Sequence, residues 1–337
     1  MTGEPAQPGV ADDPSDAPAV PPAPGGTVED YLKIAAPDGA SYVIASNGRE
    51  AWVPCSRGEL QRWPVECTDE VDEAVLRGLL RRKGVWVVNY QLDATKGPYT
   101  PNCFNYVCSD PQYDIERLHK KTRGAIRHGL RSFVVRRISW DELLKHGYPA
   151  QLDTTQRHGY SPPEPYHLQQ FADRVRNSPC HEAWGAWLGE DLVAWLVFIK
   201  IDNYAAIDNV RSCSAAHRDC PNNAVLYSVT RQLLIEEKRQ FVSLGLSSVR
   251  ADPNRLSLHK YKVRMGYEAL PRFRRFVLHP LLRPLICTRS ASWFWDKLVV
   301  LRHHSARLRM VAGMSRLLSG REPAPLAWAD KEKEAED

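Results

Sequence analysis

The stretch Ile207-Asp208-Asn209-Val210-Arg211-Ser212 alternates as a strand does, which predicts Asp208, Val210 and Ser212 on one face and Asn209 and Arg211 on the other. Charged and amide side chains are unusual inside a core strand. A carboxylate held there is of the type that takes or orients a proton, and an exposed or ion-paired carboxylate is the plain alternative. Further on, Pro221-Asn222-Asn223-Ala224 precedes a long apolar-faced helix, with His217 and Arg218 just ahead. The free N–H groups and dipole at such an end suit a phosphate, although an Asn there also serves simply as the cap. A third group is basic: Lys120, Arg123 and Arg127 share one helical face that Arg131 continues, with no acid between residues 119 and 139. That face suits an anionic substrate, or it is merely solvated.

These groups need elements to position them, and the chain has the material. Its 337 residues are 43% hydrophobic and 25% charged, enough for one large or two small domains. No apolar run reaches the roughly 18 residues of a spanning helix. The N-terminus lacks the basic and apolar regions of a secretory signal, so a cytoplasmic protein is expected. The net charge is +5, yet both ends are acidic. Residues 1–27 carry Glu4, Asp12, Asp13 and Asp16 without a base, and residues 322–337 carry six acids against Lys331 and Lys333. The part between is therefore strongly basic, which favours an anionic partner. The eight cysteines form no CxxC pair and no regular framework, so thiols are expected rather than a metal site or disulfides.

Residues 1–27 hold seven prolines and little to bury, and with 322–337 they read as disordered tails. Residues 28–107 give short strand signals at 42–44, 84–90 and 103–108, followed by the basic helix at 114–130. Beyond 130 the pattern is regular. It predicts a strand at 132–138, helices at 140–145, 149–157 and 166–176, and strands at 183–188 and 192–201 joined by Gly189-Glu190-Asp191. A strand at 205–213, a helix at 223–238, a strand at 241–246, a helix at 254–265 and a strand at 267–278 complete it.

This order over 131–280 resembles the GNAT-type N-acyltransferase fold, and three motifs resemble its FemAB-like branch. They are Lys120-Lys-Thr-Arg123-Gly-Ala-Ile-Arg127-His-Gly-Leu130, Pro221-Asn222-Asn223-Ala-Val-Leu-Tyr227, and the run from Asn254 with Tyr261-Lys262 and Met265-Gly266-Tyr267. The resemblance implies a mixed α/β fold, a splayed sheet flanked by helices. Residues 28–130 would be a degenerate companion module, 131–280 the acyltransferase domain and 281–321 a basic amphipathic segment. One departure concerns the donor: Ser214-Ala-Ala-His-Arg-Asp-Cys-Pro221 stands where acetyltransferases of this fold have a Gly-rich pyrophosphate loop.

The implied chemistry is direct transfer of an acyl group from acyl-CoA or a similar carrier to an amine, without metal. Asp208 is the implied group that orients or deprotonates the amine, Glu182 a second candidate, and Tyr261, seven residues after Asn254, the proton donor to the leaving group. Val210, Ser212, Arg218, Asn222, Asn223, Ala224 and Asn254 would hold the donor, and Lys120, Arg123 and Arg127 an anionic substrate or tRNA. Implied partners are an amine-bearing small molecule or cell-envelope precursor, and tRNA. The alternatives are a non-catalytic module of this fold that binds RNA or anionic lipid, or an aminoacyl-tRNA-dependent aminoacyltransferase. Residues 281–321 interleave eight bases with Trp293, Phe294 and Trp295 against the one acid Asp296. Such a segment either lies on an anionic membrane, at its cytoplasmic face, or docks its apolar side onto residues 28–107.

Overall fold

The computed structural model describes residues 23–35, 43–44, 50–248, 255–302 and 305–321. The chain begins with α1 (Val28–Ala35), β1 (Val43–Ile44), β2 (Ala51–Ser56), β3 (Glu59–Trp63), α2 (Glu73–Leu80), β4 (Val87–Asp93), β5 (Cys103–Cys108) and α3 (Lys120–Ser132). It continues through β6 (Val134–Ile138), α4 (Trp140–His146), α5 (Tyr148–Arg157), α6 (Pro165–Val175), β7 (His181–Leu188), β8 (Asp191–Ile201) and β9 (Tyr204–Ser212). Then come α7 (Pro221–Arg231), β10 (Phe241–Leu246), α8 (Arg255–Arg264) and β11 (Glu268–Leu278), and last α9 (Arg283–Ile286), α10 (Arg289–Leu301) and α11 (Ala306–Leu318).

All strands join one mixed sheet in the order β1-β2-β3-β4-β11-β5-β10-β9-β8-β7-β6. The fold is thus the mixed sheet flanked by helices that the sequence predicts, and the elements from β6 to β11 fall where the periodicity places them. The sheet runs on through the first hundred residues, because β11 pairs with β4 on one side and β5 on the other. Residues 23–27, expected without structure, are held by backbone bonds from Gly25 to Pro179 and from Gly26 to Lys200, and by Asp202 to Gly26. Two small glycines that bury no side chain can still pair, which composition does not reveal.

The sheet has two unlike faces. One is covered by α2, α3, α7 and α8 over an apolar core that includes Phe104, Tyr106, Phe198, Val225, Leu233 and Tyr267. Registers place Gln61, Asn89, Gln91, Asn105, Ser243 and alternate residues of β11, Arg272, Arg274 and Phe276, on the other. That second face is apolar toward its margins, and over β7 and β8 the helices α4, α5 and α6 pack Leu143, Ala150 and Leu168 on Ala183, Trp187, Trp195 and Val197. Around Tyr204, Ile199 and Val53, α1 packs Leu32 and Tyr31, and Tyr31 stacks on Trp63 with centroids 3.9 Å apart. At the opposite end Val87, Phe276 and Leu278 receive Ile286 and Met314 of the C-terminal helices. The middle is polar. All eight cysteines are free thiols, with Cys103, Cys108 and Cys180 buried.

Candidate functional site

β9 and β10 are parallel and pair only through Tyr204, Ala205 and Ala206 with Phe241, Val242 and Ser243. Past that point no rung joins them among the described residues, although β9 runs on to Ser212. β10 meanwhile stays on β5 through an irregularity between Ser243 and Leu246, where Gly245 takes a φ of +66° that favours glycine. The two strands therefore part as a wedge. Its lips are the half-buried Ile207 and Val210 of β9, Leu244 of β10 and Tyr261 of α8, all packed against the main core.

At the same level β9 carries a bulge. Val197 of β8 pairs with Asn209 and Phe198 with Ile207, so Asp208 is the extra residue. Bulges re-aim side chains, and this one corrects the alternation read from the sequence. Asp208 leaves the face of Val210 and Ser212 and joins that of Asn209 and Arg211. Asn209 Nδ2 donates to its Oδ2 at 2.6 Å, and the charge of Asp208 is felt at Tyr31. Water reaches Asp208, which is exposed, yet burial among surrounding protein raises its carboxyl above the ordinary value against the pull of Asn209 and Arg211. It sits at the level where β9 and β10 part.

Across the second face runs a band of buried polar side chains, the polar trough of the sheet. Gln91, Tyr204, Arg211, Arg272 and Arg274 each have a buried polar atom without a hydrogen-bond partner among the described residues. Such atoms are rare in folded proteins, and each costs about 1–3 kcal/mol unless water or a ligand answers it. Burial pushes the Glu66 carboxyl up, and hydrogen bonds from Ser243 and Asn105 pull the other way. Arg274 turns one nitrogen to Gln61 and Asn89, and it also lines a pocket of about 370 Å³ between the β2–β3 turn and the C-terminal helices.

Across the wedge, α8 presents Tyr261 and Lys262. Burial raises the Tyr261 hydroxyl above its ordinary value. Lys262 Nζ donates to the Leu244 carbonyl at 3.1 Å and sits 4.1 Å from the Tyr106 ring centroid. Burial lowers its ammonium to about 8.

The expected donor residues divide. Asn223 reaches the wedge side, with Nδ2 3.4 Å from Met265 Sδ. Ser212 and Asn222 instead belong to a network in which Asn222 donates to Ser212 at 3.0 Å and Ser212 meets His217 Nε2 at 3.0 Å. Ala224 is buried, and its N–H goes to the Cys220 carbonyl at 3.2 Å. Val210 is a wedge lip, Arg218 is exposed, and Asn254 lies outside the described residues. The N-terminus of α7 is also crowded. Gly129 of α3 approaches so closely that a Cβ there would stand 2.7 Å from the Cys220 carbonyl oxygen. With proline first, an Asp219 carboxylate bonded to His128 at 3.0 Å and no glycine loop, this end fits a pyrophosphate poorly.

Glu182 is withdrawn from the candidates. Its Oε1 accepts from Arg137 at 2.7 Å and Trp184 at 2.8 Å, and its Oε2 from Lys200 and the Ala23 N–H at 2.9 Å each. Burial pushes this carboxyl up, but Lys200 and these hydrogen bonds outweigh it and hold it below the ordinary value. The basic helix is partly spent as well, since Arg123 and Arg127 both pair with Glu116 while Lys120 stays exposed.

The bulge and the trough carry no sequence signal of their own, and Lys262 stands out only as part of the Tyr261-Lys262 motif. Only the run Asn89, Gln91 within the apolar strand β4 hints at a polar face.

No family model matches the chain, and no curated protein matches its sequence. Among solved structures, FemX superposes with a TM-score of 0.55 at 10% identity, covering 77% of this chain and 94% of FemX. A tandem GNAT protein from the clavulanic acid biosynthesis pathway covers 75% of this chain and 94% of its own at a TM-score of 0.42 and 12% identity. For L-PGS from Bacillus licheniformis the values are 69%, 82%, 0.44 and 11%. The chain has the GNAT-type, FemAB-like fold.

Proposed function

We propose that the protein is an N-acyltransferase whose reaction takes place in the wedge between β9 and β10. The observation that carries this reading is the bulge at the mouth of the wedge, with an extra residue, Asp208, whose carboxyl is raised and open to solvent. The amine acceptor lies beside Asp208 over the polar trough, where Arg272, Arg274 and Gln91 keep unanswered donors. The activated carbonyl enters from the α7–α8 face. Asp208 accepts the proton of the attacking amine nitrogen as the new C–N bond forms. Backbone N–H groups on the free edge of β9 stabilise the oxyanion, the bond to the carrier breaks, and Tyr261 gives the leaving oxygen or sulfur its proton. Lys262, as a cation on the wedge wall, favours the developing negative charge.

The poor fit of a pyrophosphate at α7 favours a carrier held chiefly by its acyl end and by Lys262. Acyl-CoA and aminoacyl-tRNA are the two classes to separate. The test is incubation with each carrier and a mixed pool of small amines and amino-sugar or peptide acceptors, followed by product mass spectrometry. Transfer to an amine that fails with Asp208→Asn supports the reading. Transfer unaffected by that change, or carrier hydrolysis alone, overturns it.

A further inference from the structure

The C-terminal helices have two sides. Their inner side is closed: Ile286, Trp295, Val311 and Met314 pack on Val87, Phe276 and Leu278 of the sheet. The single acid, Asp296, is taken up by Arg316 at 2.7 Å and Arg321 at 3.2 Å. So the docking expected from the sequence occurs, on β4 and β11, but it uses half of the apolar material. On α10, Trp293, Phe294, Lys297, Val300 and Leu301 recur at the spacing of one helical face. Their apolar members are 52–75% exposed. Lys297 sits at the centre of this face, its Nζ 5.5 Å from the Trp293 ring centroid, and Arg289 and Arg302 stand exposed at its two ends. Leu281 and Leu285, before α10, are equally bare at 68% and 57%.

A second observation adjoins the first. Beside Leu281 and Leu285 lies a hollow of about 730 Å³ whose wall includes Arg77, Arg81, His279 and Arg283. Its acid, Glu73, is engaged by Arg275 at 2.9 Å. A cationic hollow next to bare leucines and an aromatic helix face with a lysine at its centre matches the headgroup and acyl layers of a lipid surface.

We propose that α9 and α10, with this hollow, form a docking surface for an anionic phospholipid bilayer. Trp293, Phe294, Val300 and Leu301 enter the interface, Lys297 reaches back to the phosphates, and the arginine hollow receives headgroups. No described helix is long and apolar enough to cross the membrane, so the contact is peripheral. A second copy of the chain suits this face less, since a two-fold contact would set Lys297 against Lys297. The proposal is independent of the acyl-transfer reading.

Flotation of the full chain with phosphatidylcholine vesicles and with vesicles also containing phosphatidylglycerol tests it. Binding is expected only to the anionic vesicles and should weaken as salt rises. The double change Trp293→Ser, Phe294→Ser should reduce it about tenfold or more, given what two large apolar side chains contribute. Arg81→Gln with Arg283→Gln should reduce it further. All four side chains are exposed, so unchanged thermal melts will show that folding is kept. Equal binding to neutral vesicles, no binding to either, or binding unmoved by these changes overturns the proposal. So does sedimentation as a dimer that Phe294→Ser dissociates, or binding that requires removal of the acidic residues 322–337, which would make that tail the occupant.

Discussion

Two buried clusters of polar groups in one sheet follow opposite rules. At β7 and β8, Glu182, Lys200, Arg137 and Glu237 answer one another, with Lys200 Nζ 2.9 Å from Glu182 and 3.1 Å from Glu237. At the wedge and trough, Asp208 is held above its ordinary value, Lys262 below, and the amide and guanidinium groups of β4 and β11 keep unanswered atoms. The first arrangement spends its charges on cohesion. The second leaves them available, as the proposed site requires. Titratability alone therefore did not separate Glu182 from Asp208. The count of partners did.

The largest effect that would break this contrast concerns Asp208. Asp208→Asn should lower turnover about 10²–10⁴-fold, the usual worth of a positioned base. Stability should move the other way. Because the folded carboxyl is raised, the native state binds its proton more tightly, and stability falls as pH rises from the ordinary carboxylate range through the raised value. The Asn variant escapes that loss, so thermal melts above this window should show it more stable than the wild type.

Next comes Lys200→Met, which takes one cation from Glu182 and Glu237 while Arg137 stays on both, and should cost about 1.5–3 kcal/mol in urea unfolding. The pH dependence of turnover should stay as it is, and a change there would join the two clusters into one. Gln91→Leu probes the trough in the reverse sense. Its side chain is fully buried with neither end bonded among the described residues, so leucine should stabilise the fold by about 1–3 kcal/mol while raising the acceptor KM. The smallest effect is a pH shift. If Lys262 acts as a cation, turnover declines above its value of about 8, and Lys262→Arg should move that alkaline limb upward.

Much of the fold was legible because its signals are local. The 189–191 turn, the apolar runs of β7 and β8 and the apolar stripe of α7 all sit within a few residues of the groups they organise. α7 itself departs at its end, where residues 232–236 form a π-helical turn that no periodicity announces. The site was only half legible. Asp208 stood out as a carboxylate in a strand, but its direction depends on one inserted residue that shows only against β8. The trough depends on β11 returning from far along the chain to lie between β4 and β5. Glu182 looked free because Lys200 and Arg137 approach it from other strands.

The most direct measurement is acyl transfer to amines from radiolabelled acyl-CoA and, separately, aminoacyl-tRNA, comparing the wild type with Asp208→Asn across pH. Our account predicts labelled amide from one carrier, a rate that climbs through a raised carboxyl value, and loss of that climb with most of the rate in the variant. A variant that transfers as fast, with the same pH profile, would contradict it.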